Sequence, residues 1–231
     1  LDSNINLEAI TSKIIIMKNL NSIRIMLVDD HAVVRAGVRR LLEQDAKFTV
    51  IAEAESGERA YQIFGEHLPD VTIIDLSMPG IGGMETIKRI VARYPTAKIL
   101  VLSMHENVAF ASQALKAGAK GYVTKSGLAN ELANAIEWVV SGQTYLGTEL
   151  SNKIALQLHN AEGDPMQALS AREFEIFRML VDGVDLNKIA GTLNISLKTV
   201  ANYQTTIKQK LGVSSPVEMV RLAIRCGLIE S

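Results

Sequence analysis

Val71-Thr72-Ile73-Ile74-Asp75-Leu76-Ser77-Met78-Pro79-Gly80-Ile81-Gly82-Gly83 opens as a short apolar, β-branched run, closes it with a carboxylate and then breaks in Pro and Gly. Such a run reads as a buried parallel strand followed by a loop. In an open α/β sheet, ligands gather beyond the carboxyl ends of the strands, where Asp75 stands. Taken alone, an acid there is as often a helix cap. The run Ile23-Arg24-Ile25-Met26-Leu27-Val28, however, ends the same way, in Asp29-Asp30. Three carboxylates at neighbouring strand ends repel one another unless a cation sits among them. An all-oxygen ligand set with room for water suits Mg²⁺.

Outward from these two strands, the chain alternates strand and helix with short connections, the pattern of a doubly wound parallel sheet. Helices are expected over 31–43, 57–67, 83–94, 107–117 and 128–140, and further strands over 48–54, 98–103 and 121–124. Five strands and five helices then form one α/β domain over residues 23–145. Residues 1–22 lack a periodic pattern and read as an N-terminal extension, with Met17 a candidate native start.

Composition bounds the function. The 231 residues are 48% hydrophobic and 21% charged, an ordinary globular balance. The single Cys226 leaves no internal disulfide, which fits a reducing cytoplasm. No apolar run approaches the roughly 18 residues of a membrane span. From Asn187 onward, 6 Lys and Arg stand against 2 acids, so positive charge gathers late in the chain.

Asp29-Asp30, Asp75, Ser103 and Lys125, each at the end of a successive strand, resemble the receiver domain of a two-component response regulator, with its flavodoxin-like fold. The resemblance implies that Asp75 accepts a phosphoryl group from the phosphohistidine of a sensor histidine kinase. It implies Mg²⁺ held by Asp29, Asp30, Asp75 and the backbone carbonyl of Ser77. Ser103, Tyr122 and Lys125 take the part of the switch: a hydroxyl that turns toward the phosphoryl oxygens, an aromatic that rotates inward, and a pairing cation.

The chemistry accounts for these residue types independently. Phosphoryl transfer needs an in-line nucleophile, a metal spanning charged oxygens and an opposing cation. The product carries about −2 charge where a carboxylate carried −1, a change that a hydroxyl and an ammonium sense through charge-assisted hydrogen bonds. Singly, each residue has a plainer reading: Asp29-Asp30 as a cap, Ser103 and Lys125 as solvated strand ends, Tyr122 as packing. His31 and His105 flank the pocket without zinc-like spacing and read as surface histidines.

Residues 146–167 read as a linker containing one helix around Leu150–Leu158 and a Gly- and Pro-containing stretch beyond it. From residue 168 to 231 the pattern is all helical. Ser170-Ala171-Arg172-Glu173 is a capping box. A short helix over 187–193, a turn at Asn194 and a longer helix capped by Ser196 make a helix-turn-helix in a four-helix domain. Pro216 suits the first position of the last helix, with Val220, Leu222 or Ala223, and Ile224 inward. Burying Val200, Tyr203, Ile207 and Leu211 leaves Lys198, Ala201, Asn202, Thr205 and Gln209 on the exposed face, with Lys208 alongside. Asn reads adenine edges, Ala and the Thr methyl touch thymine methyls, and Lys holds phosphates. A merely solvated face is about as well supported by that face alone.

Leu169-Ser170-x-Arg172-Glu173, Ile189-Ala190, Ser196-x-Lys198-Thr199-Val200, Lys210-Leu211 and Ala223-Ile224-Arg225-x-Gly227-Leu228-Ile229 closely resemble the LuxR-type (NarL/FixJ) DNA-binding domain. The resemblance implies DNA contacts from Lys188, Ser196, Lys198, Thr199, Ala201, Asn202, Thr205, Lys208 and Lys210. Ala201 and Tyr203 depart from the Lys and His common in that family, and the Tyr leans toward the GacA/UvrY branch.

The expected function is a response-regulator transcription factor that binds double-stranded promoter DNA after phosphorylation of Asp75. A homodimer when phosphorylated and RNA polymerase are the expected partners. In the unmodified chain, the receiver is expected to cover or misorient the DNA-binding domain. The alternative is a phosphorylation-independent DNA-binding regulator with a degenerate switch. An aspartyl-phosphate hydrolase is disfavoured because Ser77 stands where those enzymes carry a second acid.

Overall fold

A computed structural model describes residues 22–159 and 165–229. All of the N-terminal extension but Ser22, including Met17, part of the expected linker and the last two residues lie outside the described residues. Among the described residues, no helix is long and apolar enough to cross a membrane.

The strands are β1 (Ile23–Val28), β2 (Phe48–Ala54), β3 (Val71–Ile74), β4 (Ile99–Ser103), β5 (Gly121–Thr124) and β6 (Tyr145–Leu146). They form one sheet in the order β2-β1-β3-β4-β5-β6, with every pairing parallel. The sequence expectation of five strands is thus one short. β6 has only two residues, too few to show alternation, and it joins the edge by pairing Tyr145 with Gly121 and Leu146 with Tyr122.

Helices α1 (Ala32–Leu42), α2 (Gly57–His67), α3 (Gly82–Arg93), α4 (Val108–Ala117) and α5 (Leu128–Val140) follow the first five strands. Alternation within the strands feeds two cores. Ile25, Leu27, Ile73, Leu100 and Val123 face α1 and α5 with Val38, Leu42, Leu132 and Ile136. Met26, Val28, Ile74, Ile99 and Val101 face the opposite way, toward Ile63, Phe64, Ile87 and Ile90. The sheet is therefore covered on both faces, as parallel sheets require. Strand order reverses direction between β1 and β3, which opens a crevice at their carboxyl ends.

Helix α6 (Thr148–His159) leads out of this unit, and Pro165–Ala168 form a 3-10 turn. The stretch around Met166, expected as linker, is anchored rather than loose: Met166 is fully buried. The helical unit comprises α7 (Ala171–Val181), α8 (Leu186–Thr192), α9 (Leu197–Leu211) and α10 (Pro216–Arg225). Ser170 and Glu173 complete the capping box on α7. Asp185, Ser196 and Ser215 cap the others, each accepting a backbone N–H two or three residues on. Asn194 adopts φ 51°, the left-handed conformation that the turn between α8 and α9 demands. In α10 the buried residues are Met219, Leu222 and Ala223; Ile224 is exposed, because the stripe lies one residue earlier than expected.

The second core does not stop at the domain boundary. Phe110 and Ala114 of α4 continue into Met166, Leu169, Phe174, Ile176 and Phe177. Helix α4 is buried at Val108, Ala109, Phe110, Ala111, Gln113 and Ala114. Its apolar, small-residue composition follows from being covered twice, by the sheet and by the helical unit.

Candidate functional site: an acidic pocket at the sheet edge and an open helix face

Backbone pairing sets the acidic residues side by side. Val28 is level with Ile74. The Asp75 N–H donates to the Val28 carbonyl at 2.8 Å, and the Lys125 N–H to the Ser103 carbonyl at 2.7 Å. All four strand ends therefore open on one crevice. The turn back into α3 is tight: a Cβ at Gly83 would stand 2.2 Å from the Asp75 carbonyl oxygen, so no larger residue fits beneath this loop.

Asp29, Asp30, His31 and Asp75 each bring a ligand atom into a cluster spanning 4.8 Å. Lys125 Nζ reaches Asp29 Oδ2 at 2.8 Å and Asp75 Oδ2 at 3.3 Å. Asp75 is only 3% exposed. Among the described residues, its Oδ1 is buried with no hydrogen-bond partner, as is Asp30 Oδ1, although His31 Nδ1 lies 3.0 Å from the latter. Buried carboxylate oxygens without donors are costly unless something else neutralises them. The donor set is all oxygen apart from His31, the chemistry that a hard divalent cation fits. His31 belongs to this cluster by position, which the absence of a zinc spacing had hidden.

Burial pushes the Asp75 carboxyl up, and Lys125 opposes that rise without cancelling it. For Lys125, burial acts to lower the pKa, but the hydrogen bond to Asp29 and the charges of Asp75 and Asp29 outweigh it, leaving the ammonium above its ordinary value. Lys125 is thus held charged between two acids.

Tyr122 is fully buried, and its hydroxyl donates to the His105 carbonyl at 2.8 Å. Burial raises its pKa, so it stays neutral. Ser103 Oγ accepts the His105 N–H at 3.2 Å. His105 is not the surface residue that the sequence suggests. Its ring stacks on Phe110 with centroids 3.9 Å apart, and its Nε2 faces Ser77 Oγ at 3.2 Å. Burial, with the Arg178 charge, lowers its pKa to about 4. The aromatic at position 110, a helical turn away in a small-residue helix, was the available signal.

The second site is the outer face of α9. Lys198, Ala201, Asn202, Thr205 and Gln209 are all exposed, as are Lys188 and Ser196, with Thr199 and Lys208 half-buried. Thr205 Oγ1 donates back to the Ala201 carbonyl at 3.1 Å. Lys210 stands apart from the other cations: its Nζ contacts the buried Glu173 carboxylate at 2.6 Å. The helical unit docks on the α/β unit through α7, the Thr192 end of α8 and the residues after α10, and the α9 face stays open. Covering of that face, one of the two expected forms of restraint, is not what the docking does.

Known proteins share this arrangement. The receiver-domain family model, "Response regulator receiver domain", matches residues 25–137, and "Bacterial regulatory proteins, luxR family" matches 167–223. The chain is 40% identical to the transcriptional activator protein ExaE of Pseudomonas putida, over 89% of this chain and 97% of ExaE. It is 38% identical to the response regulator UvrY of Escherichia coli K12, over 89% and 95%. Among solved structures, RcsB of Salmonella enterica serovar Typhimurium, bound to promoter P1flhDC in the presence of phosphomimetic BeF3−, matches with a TM-score of 0.67 at 30% identity, over 87% of this chain and 98% of RcsB. Another RcsB structure holds two dimers on two parallel DNAs and matches with a TM-score of 0.57 at 30% identity, over 87% and 98%.

Proposed function

Because this chain belongs to the response regulators that join a receiver domain to a LuxR-type DNA-binding domain, we propose that phosphorylation of Asp75 controls how it engages promoter DNA. The family consists of DNA-binding transcription regulators rather than enzymes, and the chain is one of them.

In the proposed reaction, an Asp75 carboxylate oxygen attacks the phosphorus of a kinase phosphohistidine. The P–N bond breaks, its electron pair returns to the imidazole, and an acyl phosphate forms on Asp75. Asp29, Asp30, Asp75 and the Ser77 carbonyl would hold Mg²⁺, which neutralises phosphoryl charge when bound. Lys125 supplies the fixed positive charge opposite, and the Ser103 hydroxyl a hydrogen bond to the new oxygens. Tyr122 occupies the inward position beneath the His105 carbonyl. The observation that carries this reading is the unpartnered Oδ1 of Asp75 beside an ammonium held by two carboxylates.

For DNA, Ala201, Asn202 and Thr205 face base edges. Lys188, Ser196, Lys198, Thr199 and Lys208 meet the backbone, and Lys210 adds positive charge from the Glu173 contact. One helix-turn-helix buries little surface on DNA, so a phosphorylated homodimer on paired half-sites is the active form. It acts in the cytoplasm, with RNA polymerase as the further partner.

Adding Mg²⁺ and beryllofluoride should raise promoter affinity in the wild type and leave Asp75→Asn unmoved. A second reading, DNA binding independent of phosphorylation, is favoured by the open α9 face; equal affinity with and without beryllofluoride would select it.

A further inference from the structure

His31 stands at the N-cap of α1, where Ser, Thr, Asp and Asn are favoured because their side-chain oxygens accept an orphan backbone N–H. Its imidazole makes no such capping bond. The ring turns instead toward the acid pair, with Nδ1 3.0 Å from Asp30 Oδ1 and 3.3 Å from Asp29 Oδ1. Neither approach is a good hydrogen bond. Asp30 Oδ1 has no hydrogen-bond partner among the described residues, and 3.3 Å is long for an N–H···O contact. The backbone N–H of His31 meanwhile donates to Asp29 Oδ1 at 2.7 Å, which fixes where the ring begins.

Lys125 engages the Oδ2 atoms of Asp29 and Asp75. Asp75 Oδ1, on a side chain only 3% exposed, is buried without a partner among the described residues. Around one octahedral ion with ligand bonds of about 2.1 Å, neighbouring ligand atoms stand about 3.0 Å apart. The separations of Nδ1 from Asp30 and Asp29 are close to that spacing. The His31 side chain is 64% exposed, so the cluster opens to water on its side.

We infer that His31 Nδ1 is a ligand of this cation pocket, and that the pocket takes a borderline first-row divalent ion, of the Fe²⁺ to Zn²⁺ series, in preference to Mg²⁺. This rests on reading the pocket as a cation site and names the class of ion. The direction follows from ligand type. Carboxylates and water suit Mg²⁺, whereas imidazole suits iron, nickel, copper and zinc. Mg²⁺ gains little from a nitrogen donor, so what His31 adds falls on the transition ions. Presenting the Nδ1 lone pair puts the ring proton on Nε2, where the open side leaves it to water.

Because the imidazole does not cap α1, it can be replaced without loosening the helix. His31→Ala removes the donor, and His31→Gln offers an oxygen where the ring offers nitrogen. Titration calorimetry on the full chain measures Ni²⁺ and Mg²⁺ affinity at one fixed pH for wild type and both variants, with Mg²⁺ also used to compete against Ni²⁺. The wild type should bind one Ni²⁺ that excess Mg²⁺ displaces. Both variants should lose at least about tenfold in Ni²⁺ affinity, the least that removing even a supporting residue of a metal site costs. Their Mg²⁺ affinity should stay near wild type, which also reports an intact pocket. If either variant binds Ni²⁺ as tightly as the wild type, nitrogen ligation is overturned. Equal losses for Ni²⁺ and Mg²⁺ would show a merely structural role and overturn it too, as would Ni²⁺ that Mg²⁺ cannot displace, the mark of an adventitious surface histidine. If the wild type binds neither ion, it is the reading of the pocket as a cation site that fails, and this inference with it.

Discussion

The ring of Phe110 in the α/β unit meets the ring of Phe174 in the helical unit edge to face, with centroids 4.9 Å apart and planes at 82°. Both side chains belong to one continuous core. Truncating a buried Phe to Ala typically costs about 3–5 kcal/mol. Phe174→Ala should therefore destabilise the chain by that order and separate the melting of the two units. Calorimetry checks this: the wild type should show coupled unfolding and the variant two resolved transitions.

Lys125 is the cation that holds Asp29 and Asp75 together. Lys125→Gln leaves two buried acids facing each other, and the Asp75 pKa should rise further as a lowering influence disappears. Labelling by acetyl phosphate should fall by tenfold or more, the scale of one lost charge-assisted contact. Far-ultraviolet circular dichroism should stay near wild type, since the residue lies at the mouth of the sheet.

Acid should loosen the helical unit through Glu173. Burial acts to raise its pKa, but the Lys210 contact and the Ser170 hydrogen bonds prevail and leave it below the ordinary 4.5. A carboxyl depressed on folding contributes stability that is present above its unfolded pKa and is lost as pH falls through the folded value. Stability should thus drop below about pH 4.5. Glu173→Gln should flatten that part of the profile, measured by urea unfolding at several pH values.

Lys198 and Lys210 should behave differently although both are exposed lysines on α9. Lys198→Ala should weaken DNA binding evenly across sequences and reduce the salt slope by about 1. Lys210→Ala strands the buried Glu173 carboxylate and should lower thermal stability as well as affinity. Asn202→Ala should relax base preference at one position, by about 1–3 kcal/mol. Salt-dependent binding isotherms on matched and mutated sites distinguish the three.

Strands β1 and β3 were legible because each pairs an apolar run with carboxylate chemistry at its end, as Ile23–Asp29 and Val71–Asp75 do. The α7 capping box and the left-handed Asn194 were legible for the same reason: their side chains act on the backbone a few residues away. Contacts between distant segments were not. Asn107 reads as a helix cap from its neighbours, and nothing near it in sequence announces the Cys226 and Gly227 carbonyls more than a hundred residues later. His105 looked solvent-facing because the ring that shelters it belongs to the next helix. β6 failed the test of alternation because two residues cannot alternate. The Lys210–Glu173 contact was hidden in the same way, since its partners lie 37 residues apart.

The most direct measurement is the site and chemistry of covalent modification. Full-length wild type and Asp75→Asn are incubated with acetyl phosphate and Mg²⁺, and the adduct is located by mass spectrometry after borohydride trapping. One phosphoryl equivalent on Asp75, absent from the variant and lost on chelating Mg²⁺, is the predicted result. A label of equal extent on Asp75→Asn, or one confined to another residue, would contradict the account at its root.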